Sequence, residues 1–318
     1  MIFSNYSSIG ELSHFFVGHG EMPSASALSQ RRQLLDPDIF KRINNLFVSA
    51  FDDHTTINGY HILAQDGSDV NIPFMDDKTK TEMHDAKSFC QYHVNALYDC
   101  LNKVFYDWSI DAASKKREVN ALISILKDRN YPQNSIFTAD RGYESYNLMA
   151  HFIENDTKFV IRVKDIHTKS GLMTNIKTEE GAFDMRINRT LTSLQTKEIK
   201  ADKEKYIFVP STSNFDFLDE NRDFYDLSFR AVRFKISEDT YETVVTNLSE
   251  DEFKTEDFKE LYHYRWNEET AFNKLKYTIG LVYFHARKRK LIQQEINAAF
   301  LMYNVSEVII RNIDLKKN

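Results

Sequence analysis

Short apolar runs alternate with amphipathic stretches between Tyr60 and Lys164, and that alternation can be buried only by a sheet with helices packed on it. YHILAQD, from Tyr60 to Asp66, reads as a strand that stops at its carboxylate, with the turn formers Gly67 and Ser68 behind it. Two further strands are expected over Phe89 to Asp99 and Lys103 to Ile110. Ala112 to Asp128 sets Val119, Leu122, Ile123, Ile125 and Leu126 among charged residues, the pattern of an amphipathic helix. SIFTAD, Ser135 to Asp140, is again a short strand closing on an aspartate. A helical stretch from Glu144 to Glu154 and a strand over Lys158 to Lys164 follow. The order predicts an α/β fold with a mixed sheet.

On either side the texture differs. Residues 11 to 50 read as helical, with Leu34, Leu35, Phe40, Ile43, Leu46, Phe47 and Phe51 near helical spacing and Pro37 near a helix start. Residues 165 to 250 lack helical periodicity and hold strand-like runs, YIFVP, LSFRAVRFKI and YETVVTNL. Helix is expected again from Thr255 to about Ile279 and from Lys290 to Ile310.

The bulk properties exclude several classes. A chain of 318 residues, 42% hydrophobic, with only 9 Gly and 5 Pro, has no low-complexity tract and can bury a large core. No apolar run approaches the about 20 residues of a membrane span, and the N-terminus lacks a secretory pattern, so a soluble intracellular protein is expected. Cys90 and Cys100 make no metal pattern and read as half-buried strand thiols. His84, His93 and His285 have no partners at ligand spacing and read as surface or satisfied core residues. The net charge of -6 argues against a nucleic-acid partner until its distribution is considered. Between Lys259 and Lys290 eight cations face three carboxylates, a local charge of +5, which suits a protein that grips DNA on one face.

Chemistry concentrates in LYHYRWNEETAFNKLKYTIG. At about 100° per residue Tyr262, Arg265, Glu269 and Lys276 fall along one stripe, while Leu261, Ala271, Phe272, Leu275 and Ile279 fall beside and behind it. Such a helix buries one side and presents a carboxylate between cations on the other. A solvent face laced with i,i+4 ion pairs has the same pattern. Asp66 and Asp140, taken singly, read as turn residues rather than ligands, since Asp-Gly makes good turns. Hard divalent cations want oxygen ligands from several directions, which two strand ends and a helix can supply.

Together, Y-x2-R-x3-E-x6-K on Tyr262, Arg265, Glu269 and Lys276, QDGS around Asp66 and TADRGY around Asp140 resemble the bacterial transposases of the insertion sequence four family, over roughly Ser26 to Val305. The resemblance implies a ribonuclease-H-like mixed sheet with flanking helices, interrupted by a mainly β insertion. Residues 1–55 are then an N-terminal helical region, 56–164 the first part of the catalytic domain, 165–250 the insertion, and 251–318 the second part with the C-terminal helices. It implies that Asp66, Asp140 and Glu269 are catalytic and hold two Mg2+ ions, with Mn2+ as a substitute. Tyr262, Arg265 and Lys276 would contact phosphates at the transposon end. Asp69, three residues beyond Asp66, ranks second to it as a ligand.

Partners implied by the family are double-stranded DNA with terminal inverted repeats, target DNA and a second copy in a homodimer on DNA, within the bacterial cytoplasm and its nucleoid. The implied reaction is hydrolysis at the transposon end by a metal-activated water, followed by attack of the freed 3' hydroxyl on another phosphodiester. Some relatives pass through a hairpin. Relatives also receive an unstacked base on an aromatic of the insertion, a role open here among Phe208, Phe215, Phe217, Phe224 and Tyr225. Arg287 and Lys288 open a basic run that suits phosphate contact and equally a solvated helix start. Related proteins commonly carry more helical sequence before the part matching Ser26. A truncated, non-transposing DNA-binding remnant that inhibits, and a nuclease of the same fold, therefore stand as alternatives.

Overall fold

Asp66 does not end a strand. In a computed structural model, which describes residues 8–50, 54–75, 79–81, 88–113, 118–168, 170–238 and 240–315, its strand continues six residues further. Three helices come first, α1 (Ser8–Phe16), α2 (Ala25–Leu34) and α3 (Ile39–Ser49), followed by β1 (His61–Ile72), β2 (Lys80–Thr81), β3 (Phe89–Asp99) and β4 (Val104–Ala112). Next are α4 (Glu118–Asp128), β5 (Ser135–Ala139), α5 (Tyr146–Glu154) and β6 (Lys158–Val163). The β-rich stretch holds β7 (Phe183–Thr192), α6 (Lys197–Ala201), β8 (Tyr206–Phe208), β9 (Phe224–Ser237) and β10 (Thr240–Thr246). The chain closes with α7 (Asp257–His263), α8 (Trp266–Asn273), a π-helical turn over Lys274–Thr278, and α9 (Arg289–Leu315). No described helix is long and apolar enough to cross a membrane.

The chain divides into two compact units, one of residues 1–55, 66–117 and 266–318, the other of residues 56–65 and 118–265. The boundary within β1 falls between Gln65 and Asp66. The first half of that strand, Ile62 to Ala64, is wholly buried, as a strand covered on both faces must be. The second half alternates, Val70 and Ile72 in and Asn71 out. Gly67 and Ser68 therefore lie inside a strand: the ladder hydrogen bonds outweigh a turn propensity that is only a local preference.

In the first unit β3 is antiparallel to β4 from Tyr92 to Asp99 and to β2 at its start. Helices α3 and α9 pack together and on β4. Trp108 stacks on Phe300 at 4.4 Å, and Phe105 packs edge-on to Phe300 and Tyr303, so the aromatics of β4 and α9 make one core. The inward residues of α3 are Asn44 and Val48. Leu34, Ile43 and Leu46, placed on the expected apolar face, are exposed, and Phe51 lies outside the described residues. Asn44 is tolerated inside because its amide donates to the Phe105 carbonyl and accepts from Asn304. Cys90 and Cys100 are buried free thiols.

In the second unit the strands run β1, β5, β6, β10, β9, β7, β8. β1, β5 and β6 are parallel, with α5 crossing between β5 and β6. Beyond β6 the pairing turns antiparallel: β10 pairs with β6 and β9, and β9 with β7. The β-rich stretch thus extends this sheet instead of standing apart, because the free edge of β6 is paired by β10. A strand not anticipated, FDMRINRTLT of β7, carries too many polar residues to stand out as an apolar run.

Beside this strand, β9 carries two buried arginines. Arg230 on β9 makes a two-pronged pair with Asp184 on β7, at 2.7 and 2.5 Å, and Arg233 does the same with Asp165, at 2.8 and 2.9 Å. Burial works to raise the Asp184 carboxyl, but the Arg230 and Thr255 hydrogen bonds and the Arg230 charge hold it below the usual range. Removing Asp184 leaves a buried guanidinium without its counter-charge. Asp184→Ala is expected to lose about 3 kcal/mol at neutral pH, measured by urea unfolding. Because the native carboxyl titrates below its unfolded value, its contribution is full above the ordinary carboxylate range and fades as the pH falls through the lowered one. The deficit of Asp184→Ala should therefore shrink in acid; a deficit constant with pH would contradict this.

Candidate active site

Parallel strands deliver their C-terminal ends to the same edge, and in the second unit that edge carries Asp140 and Arg162. Ala139 of β5 pairs with Ile161 of β6, so Asp140 and Arg162 are the next residues along the two chains. Asp140 caps the turn Arg141–Tyr143, its Oδ1 accepting from the Gly142 N–H at 2.7 Å. A Cβ at Gly142 would lie 2.9 Å from that same oxygen, so a side chain there displaces the carboxylate.

Arg162 spans two partners. Its Nη1 donates to Glu242 on β10 at 3.0 Å, and its guanidinium lies 5.7 Å from the centre of the Tyr262 ring. Arg265 lies 5.7 Å from the same ring. Two cations therefore flank one phenol. Burial pushes the Tyr262 hydroxyl above its ordinary range, with the charges of Arg265 and Arg162 pulling the other way, so it is a neutral donor at neutral pH.

This arrangement corrects the helix expected over Thr255 to Ile279. The α-helix is interrupted over Tyr264 and Arg265: the Tyr264 N–H still reaches Glu260 O, but the Arg265 N–H turns to Tyr262 O, and a π turn replaces α-helix from Lys274. Leu261, Ala271, Phe272, Leu275 and Ile279 are buried as expected. The four signature residues, however, do not share an open stripe, since Tyr262 is 1% and Arg265 2% exposed. Stacking on the ring lets the Arg265 guanidinium go inside.

The other signature residues belong to the first unit. Asp66, midway along β1, accepts from the Gly67 N–H at 2.7 Å. Glu269 is half-buried on α8 beside Glu268, which is 0% exposed. Lys276 sits in the π turn with its Nζ 2.8 Å from the main-chain oxygen of Asp69. Desolvation draws its ammonium below the ordinary lysine range, against the opposing charge of Asp69. Asp69 Oδ1 in turn lies 2.7 Å from His93 Nδ1. His93 is thus a paired core residue. The main-chain N–H of His285 donates to Glu295, and His84 lies outside the described residues. Arg287 and Lys288 are exposed just before α9, and Lys288 reaches Gln33 at 2.9 Å.

Carboxylates suit a hard divalent cation, and in each unit one aspartate already has an oxygen oriented by a backbone N–H, Asp66 in the first and Asp140 in the second. Among the described residues no three His, Cys, Asp or Glu side chains form a metal-holding group.

A family model described as the transposase DDE domain matches residues 57–305, a span that includes all six signature residues. The chain belongs to that family. DDE transposases are DNA-cutting and DNA-joining enzymes that use divalent metals. Among curated proteins none matches the sequence. A solved structure of the piggyBac transposase, a synaptic complex with hairpin DNA, is similar at a TM-score of 0.48 and 11% identity, over 96% of this chain and 58% of that one. This chain thus spans 58% of that transposase's length.

Arg162 was not singled out in the transposase sequence. Its one signal was a lone cation inside the apolar run KFVIRV, where a buried charge calls for partners. Gly142 gives the test of Asp140. Gly142→Ala must push the Asp140 carboxylate aside while leaving the sheet intact, so Mn2+ affinity, read by paramagnetic resonance titration, should weaken roughly tenfold or more with little change in melting temperature. Unchanged Mn2+ affinity would remove Asp140 from the ligands.

Proposed function

We propose that this transposase cuts phosphodiester bonds at the ends of a mobile DNA element and joins the freed 3' hydroxyl to target DNA, in the manner of the insertion sequence four transposases. The observation that supports this reading lies in the second unit: β5 and β6 bring Asp140 and Arg162 to the same sheet edge, and Arg162 and Arg265 flank Tyr262. A phosphodiester is an anion whose charge is redistributed as it reacts, and cations beside the carboxylates hold it where they act.

In this reading Asp66, Asp140 and Glu269 hold Mg2+, for which Mn2+ substitutes. The bound ions supply Lewis acidity to the reacting phosphate and acidify an attacking water. The backbone N–H groups of Gly67 and Gly142 orient the two aspartates. Lys276 binds a phosphate oxygen as a point charge, whereas Arg265 and Tyr262, 2% and 1% exposed, contribute from within and do not touch the duplex in this arrangement. Arg287 and Lys288, exposed before α9, contact phosphates further along the duplex. The DNA carries terminal inverted repeats, the active form is a homodimer on DNA, and the setting is the bacterial cytoplasm and nucleoid.

The test incubates the full chain with Mg2+ and a labelled duplex cut from the DNA that borders the coding sequence, followed by separation of cleaved and joined products. Both products are expected from the wild type. Asp66→Asn, Asp140→Asn and Glu269→Gln should each lower cleavage roughly a thousandfold, as loss of several kcal/mol of charge stabilisation requires, while still binding the duplex. Cleavage without joining would make the chain a nuclease of the same fold. Binding without either product would make it an inhibitory remnant.

A further inference from the structure

Lys276 does not wait in solvent. Its ammonium is half-buried and donates to the main-chain oxygen of Asp69 at 2.8 Å, although a lysine gains most hydration when its stem is free. The lysine is presented by a π turn, closed by the Ile279 N–H on Lys274 O, which re-aims residues within an otherwise α-helical run. The carbonyl that receives it is fixed from the far side. Asp69 Oδ1 lies 2.7 Å from Nδ1 of His93, and His93 is 1% exposed in β3, a strand laddered to β4 along its length. A carboxylate at that distance accepts the Nδ1–H. β3, β1 and the π turn are thereby linked as His93, Asp69 and Lys276.

An acidic side chain near a DNA contact ordinarily costs affinity, since it repels phosphate. Asp69 is 32% exposed at its side chain, and its main-chain oxygen receives the Lys276 ammonium while its carboxylate faces His93. We propose that Asp69 and His93 are a positioning pair for Lys276: they fix the β1 carbonyl and the counter-charge that hold the ammonium at one place, ready for a DNA phosphate. The inference rests on Lys276 being a phosphate contact. Pre-ordering a long side chain removes part of the rotamer entropy that binding would otherwise cost.

The experiment measures the affinity of the full chain for a fluorescent duplex cut from the DNA bordering the coding sequence, across a salt series. Lys276→Gln is expected to weaken binding about tenfold and to reduce the salt slope by about one. Deleting an acid by Asp69→Ala would by charge alone tighten binding. Positioning predicts the opposite sign, a loss approaching that of Lys276→Gln with the same drop in slope. Asp69→Asn, which keeps an oxygen for the His93 N–H, should recover most of the affinity. Asp69→Ala combined with Lys276→Gln should bind no worse than Lys276→Gln alone. The comparison is repeated at His93, where Asn keeps a donor and should bind like the wild type while Leu should not; melting temperatures show that each variant is folded. Tighter or unchanged binding by Asp69→Ala, additive losses in the double variant, or a wild-type slope for His93→Leu overturns the positioning pair. Unchanged affinity and slope in Lys276→Gln instead removes the phosphate contact itself, and the pair with it.

Discussion

Strand β5 is buried over its whole length and hydrogen-bonded on both edges, to β1 and to β6, all three running the same way. A five-residue strand in that position has no freedom of register, because a slip by one would turn Phe137 off its packing against Phe152 and break both ladders. The register is what sets Asp140 at a strand end and Arg162 beside it. The shared edge of Asp140 and Arg162 rests on that alignment. Turns then refine the placement: Asp140 is held by the Gly142 N–H, where any side chain would crowd its oxygen.

The same sheet carries arginines where a core ordinarily carries aliphatics. Arg189, Arg230 and Arg233 are buried, and each spends its donors on carboxylates or backbone carbonyls, Arg189 on those of Thr174, Lys203 and Glu204. Replacing such pairs by hydrophobes is often neutral or stabilising, so their value is not raw stability. A guanidinium that must meet carbonyls from several loops accepts only one arrangement of those loops. The β-rich stretch between β6 and α7 is thereby tied to the strands that border the site.

Short apolar runs were legible because burial on both faces leaves no room for polar residues, and β3, β5 and β6 have nearly the bounds read from them. The continuation of β1 beyond Asp66 was not, because QDGS is locally a good turn and only pairing with β3 keeps it extended. The break at Tyr264 was hidden for the opposite reason. Apolar residues on both sides of it keep helical phase, and periodicity alone does not register a missing hydrogen bond. Burial of Tyr262 and Arg265 was illegible too, since an arginine is read as exposed until its stacking partners are known. Family signature residues were found by type and spacing, but the companions that orient them, Arg162, Gly142 and His93, have no spacing of their own. They are neighbours through register and turns.

Under the proposed function an acidic chain binds DNA through its placement of cations. A net charge of -6 keeps the long-range field unfavourable to arbitrary duplex, so affinity depends on short-range contacts at one place. Short-range contacts are strongest from cations already partly stripped of water and already aimed. Under the proposed function Lys276, drawn from solvent onto a strand carbonyl, meets both conditions. Burying it costs desolvation in the free protein, which the Asp69 carbonyl and its carboxylate offset. A phosphate that reaches it meets a donor that needs little further ordering, and a phosphate elsewhere on the surface meets repulsion, so the global charge and the local cation act in opposite senses.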